Sequence, residues 1–273
     1  MKQRTVAKDV MVRGMGLHSG ERVRVIVRPV GVGTGIMFRQ NGVEVAAAPE
    51  LVRLAPLCTL VEAPGVRIST VEHLLAALHG LGVDNAVVEV EGGEVPILDG
   101  SALPWVEAID AAGRVEQDAP RVPLVVERTV EVVEGAKMAR AESHSGKWLH
   151  VDVKVDYAHP LVGVQQWRGM VDEEVFRREI APARTFTLEQ EIDKALAAGL
   201  IKGGGLDNAV VFATDGTVKN AEGLRFPDEP VRHKVLDMVG DLYMAGRPVY
   251  GRVSANMPGH GVNNAVLRGI VAN

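Results

Sequence analysis

One cysteine, Cys58, stands among 273 residues, so no intramolecular disulfide can form and a reducing compartment is the natural setting. No stretch approaches the roughly 18 apolar residues of a spanning helix, and the opening MKQRTVAKDVMV lacks an apolar core of signal-peptide length. These absences predict a soluble, cytoplasmic protein without stable membrane insertion. Long runs of one charge are missing too. The net charge is −5, which speaks against a nucleic-acid surface while leaving room for a local basic pocket. What is present is globular: 47% hydrophobic and 24% charged residues, in a chain long enough for one large or two medium domains. We expect two, in a monomer.

Residues 3–39 alternate apolar and polar as strands do, with GMGLHSG and GVGTG as turns between them. GVGTG has no following helix and no GK[ST], so it reads as a hairpin turn and not as a phosphate loop. His18, in the first turn, is either a polar turn residue or looks into a site. ISTVEHLLAALHGLG, 68–82, predicts a helix in which Ser69 and Glu72 form a capping box and Val71, Leu74, Leu75 and Leu78 the buried stripe. Taken alone, Glu72 is then a capping residue and His73 a first-turn histidine. His73 and His79 cannot share an ion, because six residues separate them by about 9 Å along the axis and about 120° around it. His79 reads instead as a helix C-terminal residue favoured by the dipole.

A strand follows over 83–90 and a helix over about 102–112. QDAPRVP, 117–123, has two prolines and no periodicity, which places a linker at 119–123 between domains 1–118 and 124–273. The second half opens with alternating strands in PLVVERTVEVVEG, KMARAES and KWLHVDVKVDY, then continues through a helix at about 187–198, ended by the glycines of KGGGLDN. GVDNAVVEV at 82–90 recurs as GLDNAVVFA at 205–213 and more weakly as GVNNAVLRG at 261–269. The recurrence predicts an α+β fold of two domains of similar architecture, each a mostly antiparallel sheet covered by helices, with the site at the interface between them.

RHKVLDMVGDLYMAG, 232–246, predicts a helix with an ordinary core stripe of Val231, Val235, Met238, Val239 and Leu242. Its opposite side carries His233, Asp237 and Asp241 at i, i+4 and i+8. An imidazole and a carboxylate one turn apart can close on one metal ion, although an isolated His-x-x-x-Asp also fits a polar helix contact. The odds shift when the pieces are taken together: Glu72-His73, Arg184-Thr185-Phe186, His233 through Asp241, and His260 in MPGHGVNNAV.

STVEHLLAAL with GVDN (69–85), PILDGSALPWV (96–106), ARTF (183–186), HKVLDMVGDL (233–242) and GHGVNNAV (259–266) span nearly the whole chain. In these segments, and in their order, the sequence resembles the zinc-dependent UDP-3-O-acyl-N-acetylglucosamine deacetylases of the committed step of lipid A synthesis. The resemblance implies that His73, His233 and Asp237 bind Zn²⁺, with Fe²⁺ acceptable to the same donors. It implies Glu72 as general base, His260 as general acid, Asp241 as the group that polarises His260, and Thr185 as an aid in receiving the oxyanion. Lys234 would meet substrate oxygens, Phe186 and the chain up to Gly205 would line the acyl passage, and His18 would bind substrate from its turn. The expected partner is a UDP-linked acylated glucosamine. Two other readings keep the metal: an amidase for another N-acetylated sugar or peptide, and a binding module with structural zinc, although structural sites usually have four protein ligands, often cysteines. The chain ends at Asn273 with no fused dehydratase domain, so a second activity is not expected.

Overall fold

Short alternating segments become strands and the longer 3.6-residue patterns become helices in the computed structural model, which describes residues 1–272. The first half contains β1 (Lys2–Val6), β2 (Val10–Met15), β3 (Arg22–Pro29), β4 (Ile36–Gln40), β5 (Val43–Ala46), β6 (Val52–Ala55), β7 (Cys58–Ala63), β8 (Val66–Ser69), α1 (Glu72–Gly80), β9 (Ala86–Glu91), α2 (Leu103–Ala112) and β10 (Arg114–Pro120). The second contains β11 (Leu124–Val125), β12 (Val130–Glu134), β13 (Lys137–Glu142), β14 (Leu149–Tyr157), β15 (Gly163–Met170), α3 (Glu173–Val175), β16 (Phe186–Leu188), α4 (Glu189–Ala197), β17 (Val210–Phe212), α5 (Glu229–Leu242), β18 (Val249–Asn256) and α6 (His260–Val271). No described helix is long and apolar enough to cross a membrane.

Both halves use one sheet topology. The first sheet runs β2-β3-β9-β4-β5 and the second β12-β13-β18-β14-β15, with β11 added beside β18. The central strands β9 and β18 are each antiparallel to one neighbour and parallel to the other. α1 and α2 flank β9 in sequence as α5 and α6 flank β18. α2 packs on β2, α5 on β14 and β15, and α6 on β12 and β13, so helices cover mostly antiparallel sheets as expected. Before its first long helix on the central strand, each half carries an insertion: the small antiparallel sheet β6-β7-β8, and the parallel pair β16-β17 with α4 between them. The buried core runs continuously from one half into the other.

Several local expectations are corrected. The recurring DNAVV segment does not mark the repeat: its second copy lies in the insertion at β17, the strand equivalent to β9 is β18, and the third copy is helical within α6. Short apolar runs carry too little periodicity to fix strand or helix. GVGTG is not a hairpin turn, since β3 and β4 do not pair and β9 lies between them. At 119–123, Pro120 ends β10, which pairs with β1, and Arg121, its side chain 8% exposed, meets Asp84 at 2.8 Å. Nor does Ser69 cap α1. It closes β8, where its hydroxyl reaches the Gly93 carbonyl at 3.2 Å, and α1 begins at Glu72 after Thr70 turns at φ +59. His79 does end α1, but not as a cation serving the dipole. Burial, then nearby Arg121, pushes its imidazole down to about 3, and the ring lies edge-on to Tyr243.

α1 and α5 form the most extensive helix pair, and Gly240 is why they can approach: a Cβ there would stand 2.0 Å from the Glu72 carbonyl oxygen. Gly240→Ala gains about 1 kcal/mol of helix propensity. The overpacking it forces costs about 1–3 kcal/mol and shifts backbone. We expect net destabilisation in urea melts and reduced activity; parent stability and turnover would show that the two helices slide past each other without consequence.

Candidate metal centre and active site

The first turn of α1 and the middle of α5 face each other across this close contact. His73 comes from α1, and His233 and Asp237 from α5; all three are buried. Their imidazoles stand edge to face with centroids 5.0 Å apart. Asp237 Oδ1 lies 3.7 Å from His73 Nε2 and 3.3 Å from His233 Nε2. One donor atom from each residue lies within 4.8 Å of the other two. His233 Nδ1 is 3.0 Å from the Ala183 carbonyl, which can only accept, so Nδ1 carries a proton and Nε2 is the nitrogen turned to the centre. Burial pushes the His73 imidazole below its ordinary value, with Asp237 opposing. Burial acts upward on Asp237, but the Lys234 ammonium at 2.8 Å and His233 hold its carboxyl well below the usual range. The lowered His73 and Asp237 favour the neutral imidazole and the ionised carboxylate in which such side chains ligate, and two imidazoles with one carboxylate fit a divalent ion such as Zn²⁺.

Beside the trio stand a second carboxylate and a third imidazole. Glu72 Oε1 lies 3.6 Å from His260 Nε2, while Oε2 accepts from the Thr59 backbone N–H at 3.1 Å. Burial pushes Glu72 up to about 7, with His260 opposing and Asp241 and Asp237 reinforcing. Burial lowers His260, but Asp241, 2.9 Å from its Nδ1, and then Glu72 carry it up to about 10. Asp241 is fully buried and also accepts from the Thr59 hydroxyl and from Asn263 Nδ2 at 2.8 Å. Thr59 and Asn263 were not anticipated. Asn263 sits at i+3 from His260, and treating GHGVNNAV as a helix start puts both on one face; Thr59, next to Cys58 in APLCTL, has no spacing signal. Cys58 is buried, its thiol pushed up to about 12 by burial and then by Glu72.

The ARTF segment supports the centre from one side. Arg184 is buried, with Nε 2.9 Å from Glu229 Oε1 at the start of α5 and guanidinium bonds to Glu222 and the Gly223 carbonyl. This fixes Ala183, and hence the carbonyl that orients His233. Phe186 places its ring centroid 6.5 Å from that of His233, edge-on to Tyr157 and Phe212, and Lys234 Nζ lies 5.7 Å from it. The Thr185 backbone bonds to Gly100 and Val210, but no contact brings its hydroxyl to the trio. His18 is half-buried with an unpartnered Nε2, and burial lowers its imidazole against Glu94, with the His260 charge adding to the fall. Glu94, also unanticipated, holds this turn by accepting from the backbone N–H groups of His18 and Ser19, the Ser19 hydroxyl and the Thr70 hydroxyl.

Three residues able to hold a metal ion, a carboxylate poised near neutrality and an imidazole raised by two carboxylates are the ingredients of the metal-dependent hydrolase class. Residues 3–272 match the family model described as LpxC, UDP-3-O-acyl N-acetylglycosamine deacetylase. The chain is 47% identical over 272 residues to the UDP-3-O-acyl-N-acetylglucosamine deacetylase of Anaeromyxobacter sp. (strain Fw109-5), covering 99% of this chain and 88% of that protein. It is 45% identical over 278 residues to the protein of the same name from Phenylobacterium zucineum (strain HLK1), covering 100% and 94%. Against that of Haemophilus influenzae (strain PittEE), identity is 42% over 280 residues, covering 100% and 91%. The chain belongs to the UDP-3-O-acyl-N-acetylglucosamine deacetylase family.

Proposed function

We propose that this chain is the deacetylase its family name describes, an enzyme of lipid A biosynthesis that releases acetate from UDP-3-O-acyl-N-acetylglucosamine. The observation that carries the reading is the convergence of His73 with His233 and Asp237, far apart in sequence, beside the Glu72–His260 pair. His73, His233 and Asp237 would hold the ion, for which we propose Zn²⁺; the same donors accept Fe²⁺. When bound, such an ion supplies Lewis acidity, bringing the pKa of a water to about 7 and polarising a carbonyl oxygen.

The chain's own residues divide the remaining work. Glu72 takes the proton of the attacking water at Oε1, its carboxylate made basic by burial and steadied at Oε2 by the Thr59 N–H. His260 gives a proton from Nε2 to the departing amine, with Nδ1 fixed by Asp241. Thr185 would offer its hydroxyl to the developing oxyanion, and Lys234 and His18 would meet polar groups of the substrate. Helix α4, which follows β16, buries none of its residues, and Leu196 and Leu206, both between Phe186 and Val210 in sequence, are exposed. An acyl chain lying from Phe186 towards Gly205 would cover these leucines. We place the protein in the cytoplasm as a monomer, and its buried free thiol agrees with a reducing compartment.

The test follows acetate release from acylated and non-acylated UDP-N-acetylglucosamine, alongside elemental analysis. Stoichiometric zinc, lost with activity on chelation and lost again in Asp237→Ala, is expected, together with strong preference for the acylated substrate. Undiminished turnover without metal would end the reading, and equal turnover of both substrates would redirect it to another N-acetylated compound.

A further inference from the structure

Thr59 lies in β7, in the insertion of the first half, and is completely buried. Two of its atoms donate to two different carboxylates. Its backbone N–H reaches Glu72 Oε2 at 3.1 Å, and its hydroxyl donates to Asp241 Oδ1. The hydroxyl has one proton, and its direction is fixed because Asn264 Nδ2 donates to the same oxygen at 3.4 Å while also bonding the His260 carbonyl at 2.8 Å. Asp241 Oδ2 meanwhile faces both His260 Nδ1 and Asn263 Nδ2. With Oδ1 held by Thr59, the carboxylate cannot turn about its terminal torsion, a broad and soft one, so Oδ2 stays on His260. The β6-β7-β8 insertion is thus fastened at a single residue to Glu72 directly and to His260 through Asp241.

Building on the deacetylase reading, we propose that Thr59 is a positioning residue for the reaction, acting through Asp241 to hold His260 in its working orientation while its backbone steadies Glu72. Deleting the hydroxyl leaves a fully buried charged acceptor short of a donor where water does not reach. The loss of a hydrogen bond to a charged group, converted to a rate, is about a ten- to hundredfold effect.

The experiment measures kcat, KM, zinc content and melting temperature for the full-length enzyme and its Thr59→Val and Thr59→Ser variants. Valine keeps the shape and the backbone N–H but removes the hydroxyl. Its kcat is expected to fall about ten- to hundredfold, with KM and stoichiometric zinc close to the parent, and serine is expected to restore kcat to within about threefold. In the Asp241→Asn background the Thr59→Val change should cost little more, because both act on one unit. A valine variant that turns over at the parent kcat, or one whose loss follows zinc content or KM alone, overturns the proposal, and so does full additivity with Asp241→Asn. Should valine fail to fold, Thr59→Ala asks the same question of kcat per zinc-loaded molecule. A parent enzyme releasing no acetate would instead refute the underlying deacetylase assignment, so the two failures are told apart.

Discussion

Glu72→Gln is expected to lower kcat by about 10²- to 10⁴-fold, the usual contribution of a positioned general base, while zinc remains stoichiometric. Glutamine fills the same volume and can still accept from the Thr59 N–H, which rests on Oε2, but it cannot take a proton. Stability should move the other way in the chelated protein. Burial is the largest influence on Glu72 and raises its carboxyl from 4.5 to about 7. A carboxyl with a raised folded value binds more protons in the folded state between those two pH values, so it weakens the fold progressively as pH rises from 4.5 to about 7. The offset corresponds to at most roughly 3 kcal/mol, and loss of the attraction to His260 reduces it. Metal-free Glu72→Gln should therefore melt above the parent at pH 8 and close to it near pH 4.5. An active glutamine variant would remove Glu72 from the chemistry.

Asp241→Asn is expected to reduce turnover at pH 8 by about 100-fold or more. Asp241 accepts three hydrogen bonds with no exposure to solvent, and asparagine has one oxygen to offer them. The charge matters as much as the shape. Burial alone would depress His260, and it is Asp241 first, then Glu72, that carry the imidazole up to about 10. A general acid works below its pKa, so the alkaline limb of the rate profile should move down by more than one pH unit in the variant. The linkage has the same sign. The ion pair stabilises the fold fully below the unfolded histidine value of 6.5 and loses that contribution as pH rises through about 10. The difference in melting temperature between parent and variant should accordingly narrow as pH rises through about 10, leaving the part due to the Thr59 and Asn263 hydrogen bonds. An unmoved alkaline limb would assign it to another group.

Chemistry written into short spacings was legible in the sequence. His233 and Asp237 had to share a helix face because four residues make about one turn, and a stripe of Val235, Met238, Val239 and Leu242 told which face was core. Glu72 and His73 were found as neighbours, although the capping role suggested for Glu72 was wrong, because a carboxylate drawn into a buried site has no freedom left to cap a helix. The Thr59 and Glu94 contacts were not legible. Each depends on a hydrogen bond between segments that only strand order brings together, and strand order was misjudged at GVGTG and at the recurring DNAVV segment.

By itself the sequence determined the longer helices and strands, the α+β character, the ligand candidates and the family, since these rest on local periodicity and on motifs that keep their order along the chain. Only the tertiary structure decided that two sheets of identical strand order present α1 and α5 to each other, that Gly240 lets Glu72 approach, and that burial and neighbouring charges raise Glu72 and His260 above their ordinary values. The physical reason is that desolvation and charge coupling depend on which groups surround an atom in space, and residue spacing carries that information only within a helical turn or so.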